Sequence, residues 1–253
     1  MLQIVNLSKR YGETIALDDA SVNFAAGSVH TIMGENGSGK STLVKLLSGI
    51  VLPDRGEIHV DGRPFTGRDP RAFQAQGLAT VFQEVLVAPD RTVTDNVLLG
   101  YDRLVSRKMP RSERREAVRA ALALCTPLEV DPDAEAGDLP LATQQLVVLA
   151  RALVRKPRIL ILDEVTAALD FTDRETVFTL MERLAAEGTL ILFISHRMDE
   201  VMRLSNRITI LRGGKVVETL DRADATPELL LARMAPEIVA ERAQEHAQGR
   251  ANG

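Results

Sequence analysis

Nine residues, Gly34-Glu35-Asn36-Gly37-Ser38-Gly39-Lys40-Ser41-Thr42, follow the apolar run Val29 to Met33 and lead into Leu43, Leu46, Leu47 and Ile50 at helical spacing. Strand, glycine-rich turn and helix in that order form the frame of a loop that wraps phosphate. Its three glycines let the chain curl so that successive N–H groups point inward at phosphate oxygens, a conformation that a Cβ obstructs. Lys40 then supplies positive charge to the β and γ phosphates of a nucleoside triphosphate, and the Ser41 hydroxyl is a ligand for Mg²⁺. A chain with this segment is constrained to an α/β arrangement in which a strand delivers the loop to a helix N-terminus.

The remaining runs fit around that constraint. Leu2 to Leu7, Ala20 to Phe24 and Glu57 to Val60 read as β-strands, the last running into the hairpin signal Asp61-Gly62, and Leu78 to Phe82 reads as another. From about Glu84 to Val154 the pattern turns helical between prolines, with helices expected over Arg111 to Cys125 and Gln144 to Val154. The mixed charges of Arg111, Glu113, Arg114, Arg115 and Glu116 suit a solvated helix face. Ile159 to Asp163 and Leu190 to Ile194 read as buried strands. Thr172-x-x-Glu175 reads as a capping box, and Ile208 to Leu211 pairs with Lys215 to Thr219 across Gly213-Gly214. Thr226-Pro227-Glu228 opens a short helix. The polar stretch 236–253 is expected to be a disordered tail.

Composition narrows the partners. In 253 residues the formal net charge is −4, so no broad basic surface exists and nucleic acid is not an expected partner. Cys125 is the only cysteine, which excludes an intrachain disulfide and suits a reducing cytosol; its helical spacing from Val118, Ala121 and Leu122 predicts a buried thiol. No window approaches 18 uninterrupted apolar residues, and no basic segment with a following apolar stretch opens the chain. The chain is therefore expected neither to cross a membrane nor to be exported.

The strand Ile159 to Leu162 ends in Asp163-Glu164. Acids at the carboxyl end of a parallel strand suit catalysis at a phosphate site: Asp163 holding Mg²⁺ directly or through water, Glu164 polarising the attacking water.

At this point the chain resembles the nucleotide-binding subunits of ATP-binding cassette (ABC) transporters over about residues 1–235. Besides the phosphate loop and the two acids, the likeness rests on Tyr11 in Lys9-Arg10-Tyr11-Gly12, Gln83 in Val81-Phe82-Gln83-Glu84, Ala168-Leu169-Asp170, and His196 in Ile194-Ser195-His196-Arg197. The resemblance implies that Tyr11 stacks on adenine and that Gln83 contacts Mg²⁺ and water. Ala168, Leu169 and Asp170 would face a second cassette, and His196 would contact the γ-phosphate. It also implies ATP and Mg²⁺ as ligands, and an α/β fold with a P-loop NTPase core and a mixed sheet. To that core (1–83 and 155–220) are added an N-terminal antiparallel β subdomain and an inserted α-helical subdomain (about 84–154). The implied partners are a second like or unlike cassette, transmembrane permease subunits and, indirectly, a periplasmic or extracellular sugar-binding protein. The implied location is the inner face of the cell membrane, through the permease. Within the family the chain is most similar to ATPases of ribose, xylose and fructose importers. A regulatory module that binds without turnover and a soluble cassette acting on DNA or ribosomes are the alternatives.

One segment departs from the family pattern. Where Leu-Ser-Gly-Gly-Gln is expected, the sequence reads Leu139-Pro140-Leu141-Ala142-Thr143. Proline brings neither the hydroxyl nor the N–H that serine lends to the ATP of the opposite cassette. Either this chain pairs with an unlike cassette whose intact segment completes its site, or it works as a slower homodimer.

Overall fold

Alternating apolar side chains shape the first strands. In the computed structural model, which describes residues 2–101 and 109–237, β1 (Leu2–Tyr11) buries Leu2, Ile4 and Leu7, and β2 (Thr14–Phe24) buries Leu17, Ala20, Val22 and Phe24. They pair antiparallel in a sheet of order β2-β1-β4-β5, with β4 (Arg55–Val60) turning at Asp61-Gly62 into β5 (Arg63–Pro64). Both turn residues have positive φ, 52° and 75°, as the two-residue hairpin requires.

The described residues form two units. The first takes the chain up to Ala25, Val29–Arg68, and the residues from Ile194 onward; the second takes Ala26–Ser28 and Asp69–Phe193. In the first unit β3 (Val29–Met33) is wholly buried and runs parallel to β9 (Arg207–Arg212), which turns through Gly213-Gly214 into antiparallel β10 (Lys215–Asp221). Parallel and antiparallel pairing in one set of strands is the mixed sheet expected from the sequence. Helix α1 (Lys40–Leu47) buries Leu43, Val44, Leu46 and Leu47. Met33, Val201, Ile208, Ile210, Ala225 and Leu230 form a further core under α7 (Met198–Leu204) and α8 (Pro227–Met234), the latter capped by the Thr226 hydroxyl.

The second unit holds β6 (Leu78–Val81) parallel to the fully buried β7 (Ile159–Asp163), with β8 (Leu190–Ile194) on the other side of β7. Helix α2 (Pro70–Ala75) is capped by Asp69 and α3 (Val93–Val97) by Thr92, while α3 and α4 (Arg111–Ala123) both pack on α5 (Leu141–Leu153). Several boundaries differ from the sequence expectation. Helix α4 ends at Ala123, and Cys125 lies just past it, fully buried, its thiol donating to the Ala121 carbonyl at 3.4 Å. Burial and the nearby Asp173 carboxylate push that thiol's pKa up, as befits an inert packing residue. Helix α5 starts at Leu141 rather than Gln144, because Pro140 serves as its N-cap. Helix α6 (Phe171–Ala186) is capped by Asp170, whose carboxylate accepts from the Asp173 amide at 2.8 Å; Thr172 is already inside the helix. No helix among the described residues is long and apolar enough to cross a membrane. The tail expected to be disordered lies outside the described residues from 238 on.

His30, in the middle of β3, supplies the first testable consequence. It is fully buried, packs edge-on to Phe24 at 4.7 Å, and shares a 2.7 Å hydrogen bond with Thr209 Oγ1 through Nε2. Its Nδ1 has no partner among the described residues. Burial, then the charge of Arg207, lowers its pKa to about 4. The unfolded chain takes up this proton near pH 6.5 and the folded chain only near 4, so stability is full above about 6.5 and falls as pH drops between the two values. The loss approaches about 3 kcal/mol. Urea unfolding from pH 4 to 8 is expected to show this slope in the wild type and a shallower one in His30→Gln; equal slopes would remove His30 as its source.

Candidate nucleotide-binding site

The loop from Gly34 to Gly39 joins β3 to α1 in a shape that only glycine permits at its key positions. A Cβ on Gly34 would lie 2.3 Å from the Leu211 carbonyl oxygen and 2.4 Å from Ser38 Oγ, and one on Gly39 would lie 2.6 Å from the Ala16 carbonyl oxygen. Gly39 has φ 108° and serves as N-cap of α1, where it offers no side chain, and no acid stands in the first helical turn. With no side-chain cap and no acid there, the helix dipole favours an anion at this end of α1. Glu35, Asn36, Gly37 and Ser41 are exposed, Thr42 is half-buried, and Ser38 is buried.

Lys40 is buried, and its ammonium donates to the carbonyls of Gly34 at 2.7 Å and Glu35 at 2.8 Å. The β9–β10 turn braces the loop from behind. The Gly214 amide donates to the Ser38 carbonyl at 3.1 Å, and the Gly214 carbonyl accepts from the Asp18 amide at 2.8 Å. The sequence reading gave Gly213-Gly214 only a hairpin role and missed this brace. The turn left no separate signal for it, since both positions have positive φ, 55° and 79°, and the hairpin alone accounts for the glycine pair. In the same unit Tyr11 is 45% exposed with the Lys9 ammonium 5.8 Å from its ring centre, and His196 is exposed just beyond β8.

The second unit carries the acids. Asp163 is buried at the end of β7, and Glu164, half-buried, takes a left-handed φ of 51°, with its carbonyl accepting from the Ala167 amide at 3.2 Å. A non-glycine residue held in this region marks backbone fixed by its surroundings, a pattern that concentrates at functional sites. Ala168 and Asp170 are exposed and Leu169 half-buried in the turn before α6. Gln83, following β6, is exposed. Pro140 caps α5 without a side-chain hydrogen bond; Leu141 is 60% exposed, and Leu139, Ala142 and Thr143 are half-buried. The Gln144 side-chain amide donates to the Leu139 carbonyl at 2.8 Å.

The same unit has a groove of about 880 Å³, with Phe82 and Leu86 on its apolar lining and Arg71, Glu84 and Arg155 among its charges. Arg151 in its wall donates to the Asn96 and Leu86 carbonyls at 2.7 and 2.9 Å, and Arg155 to the Leu99 carbonyl at 3.0 Å.

A glycine-shaped loop closing on a buried lysine, at the uncapped N-terminus of a helix, defines a nucleotide-binding protein of the P-loop α/β class. Comparison with known proteins gives the family: the ABC transporter model matches residues 17–167, and the chain belongs to that family. It is 39% identical to a ribose import ATP-binding protein, RbsA 1, of Rhizobium johnstonii over 92% of this chain and 46% of that protein. It is 40% identical to an arabinose import ATP-binding protein, AraG 1, of Burkholderia cenocepacia over 95% of this chain and 48% of that one. The chain spans about half the length of the curated relatives it matches. Among solved structures it resembles the dimeric, post-hydrolysis state of the ATP-binding cassette MJ0796 bound to ADP and Pi, with a TM-score of 0.80 and 27% identity over 88% of this chain and 99% of that one.

Proposed function

We propose that the chain is an ATP-hydrolysing, energy-coupling cassette of an importer whose cargo is a monosaccharide. The observation that carries the reading is the Gly34–Lys40 loop, in which tightly packed glycines and a buried ammonium stand at the uncapped N-terminus of α1 and suit a triphosphate. The cargo is inferred from the names of the ribose and arabinose import relatives. In this reading the loop amides and Lys40 bind the β and γ phosphates, and Tyr11 takes the adenine. Glu164 accepts the proton of the attacking water, and His196 holds the γ-phosphate as negative charge builds on it. Mg²⁺ would neutralise the phosphate oxygens, with Ser41, Gln83 and Asp163 as its protein ligands. No group of three or more His, Cys, Asp or Glu capable of holding a metal occurs among the described residues.

The permease is assigned to the groove that follows β6, whose apolar Phe82 and Leu86 and charged Arg71 and Arg155 suit a short amphipathic segment bearing acids. Binding and hydrolysis would then reach the membrane subunits from the Gln83 strand end. The cassette works in a pair, as a peripheral subunit on the inner face of the membrane, and a sugar-binding protein reaches it only through the permease.

Pro140 favours an unlike partner. Its missing N–H and hydroxyl weaken what this chain lends to its neighbour, whereas its own loop, acids, Gln83 and His196 match the family pattern. One charge-assisted hydrogen bond is worth roughly 1.5–3 kcal/mol, about ten- to a hundredfold in rate if expressed fully in the transition state. Phosphate release under saturating MgATP is expected to be slow for the purified chain and to rise about tenfold or more on adding a cassette with an intact signature serine, or in the Pro140→Ser variant alone. Brisk turnover by the unmodified homodimer, abolished by Glu164→Gln, would refute the need for an unlike partner. No phosphate release in any arm would remove hydrolysis itself. Co-purification with a many-helix permease, lost in Arg155→Glu, tests the groove.

A further inference from the structure

His196 stands exposed between two neighbours that are both tied to one buried carboxylate. Ser195 is 3% exposed and its hydroxyl donates to Glu200 Oε2 at 2.7 Å, while Ser195 Oγ accepts from the Arg197 amide at 3.1 Å. On the other side of His196 the Arg197 guanidinium lies 3.3 Å from Glu200 Oε1, with Asp199 farther away at 3.8 Å. Glu200 itself, in the first turn of α7, is 1% exposed.

Burying a carboxylate is costly unless it is paired and hydrogen-bonded, and α7 gains no side-chain cap from this arrangement. What the carboxylate does achieve is a closed bracket: hydroxyl on one flank, guanidinium on the other, and a main-chain amide locked onto that hydroxyl. The residue enclosed by the bracket has little backbone freedom, yet its imidazole is left facing solvent. Such bracing is what a side chain needs if it must meet a transferring phosphoryl group without first paying to be ordered.

We propose that Glu200 is a positioning residue that acts through His196, with Ser195 and Arg197 as its two arms. This rests on the hydrolytic role proposed above for His196. The sequence analysis assigns Glu200 no task; an acid four positions after His196, with a hydroxyl and a cation flanking that histidine, is the available signal.

Two measurements test it, one of which needs no catalysis. Amide hydrogen exchange at Arg197 is expected to quicken at least about tenfold in Ser195→Ala and Glu200→Gln, with the amides of Leu192 and Phe193 unchanged; unchanged exchange at Arg197 would overturn the bracket. In steady-state hydrolysis Glu200→Gln is expected to lower kcat about tenfold with KM for MgATP within about twofold. The same substitution placed in a His196→Ala background is expected to cost less than about twofold more. An equal loss in both backgrounds, or a loss confined to KM, would show that Glu200 supports the fold rather than His196. Should Glu200→Gln fail to fold, Ser195→Ala carries both measurements. A wild-type protein that releases no phosphate would defeat the proposed function, while the exchange data would still decide the bracket.

Discussion

Replacing Glu164 with glutamine is expected to lower ATP turnover by about 10²–10⁴-fold, the usual worth of a positioned general base, while MgATP affinity stays within a few-fold. The amide keeps the length and shape of the side chain and gives up only its ability to take a proton. The left-handed backbone at φ 51° is no easier or harder for glutamine than for glutamate, so the comparison isolates chemistry from folding. Rapid-mix phosphate release and equilibrium nucleotide titration on one preparation separate the two effects. A variant that keeps more than a tenth of wild-type turnover would rule out Glu164 as the base.

The second large effect is expected at Gly39→Ala. There the added methyl carbon would sit 2.6 Å from the Ala16 carbonyl oxygen, and φ of 108° is strained for any residue with a Cβ. Overpacking and backbone strain each cost about 1–3 kcal/mol, and both fall on the residue that opens α1 toward the phosphates. Loss of several kcal/mol in denaturant unfolding is expected together with loss of detectable MgATP binding by calorimetry. Gly37→Ala is the control: its Cβ would meet nothing within 4 Å, although φ of 79° still imposes the backbone cost. If the two variants behave alike, steric closeness at Gly39 is not what shapes the loop.

The parts of the fold legible in the sequence were those with one dominant cause. Strands β3, β7 and β8 are mainly apolar runs with burial on both faces, and their limits match the readings Val29 to Met33, Ile159 to Asp163 and Leu190 to Ile194. Thr226-Pro227 announced its helix because cap and first-turn preferences coincide. Strand β2 was read six residues too short at its start, from Ala20 instead of Thr14. Its first half carries Asp18 and Asp19, which oppose strand propensity locally and are kept there by pairing to β1 and by local bonds: the Asn6 side-chain amide donates to Asp19 at 2.7 Å. The cap of α6 was misplaced because Asp170 and Thr172 both satisfy the local rule, and only the solved backbone distinguishes them. At the site, residue types announced the loop, the acids and His196. What stayed hidden were supports from distant sequence, Gly214 under the loop and Glu200 beneath His196, since bracing of this kind is a property of the folded chain and not of any short window.

Lys40 ties the two ends of this picture together. With its ammonium shared between the oxygens of Gly34 and Glu35, the cation acts as a rivet across the mouth of its own turn before any guest arrives. A receptor fastened in this way is already rigid, so little of the energy of capture is consumed in setting the protein straight.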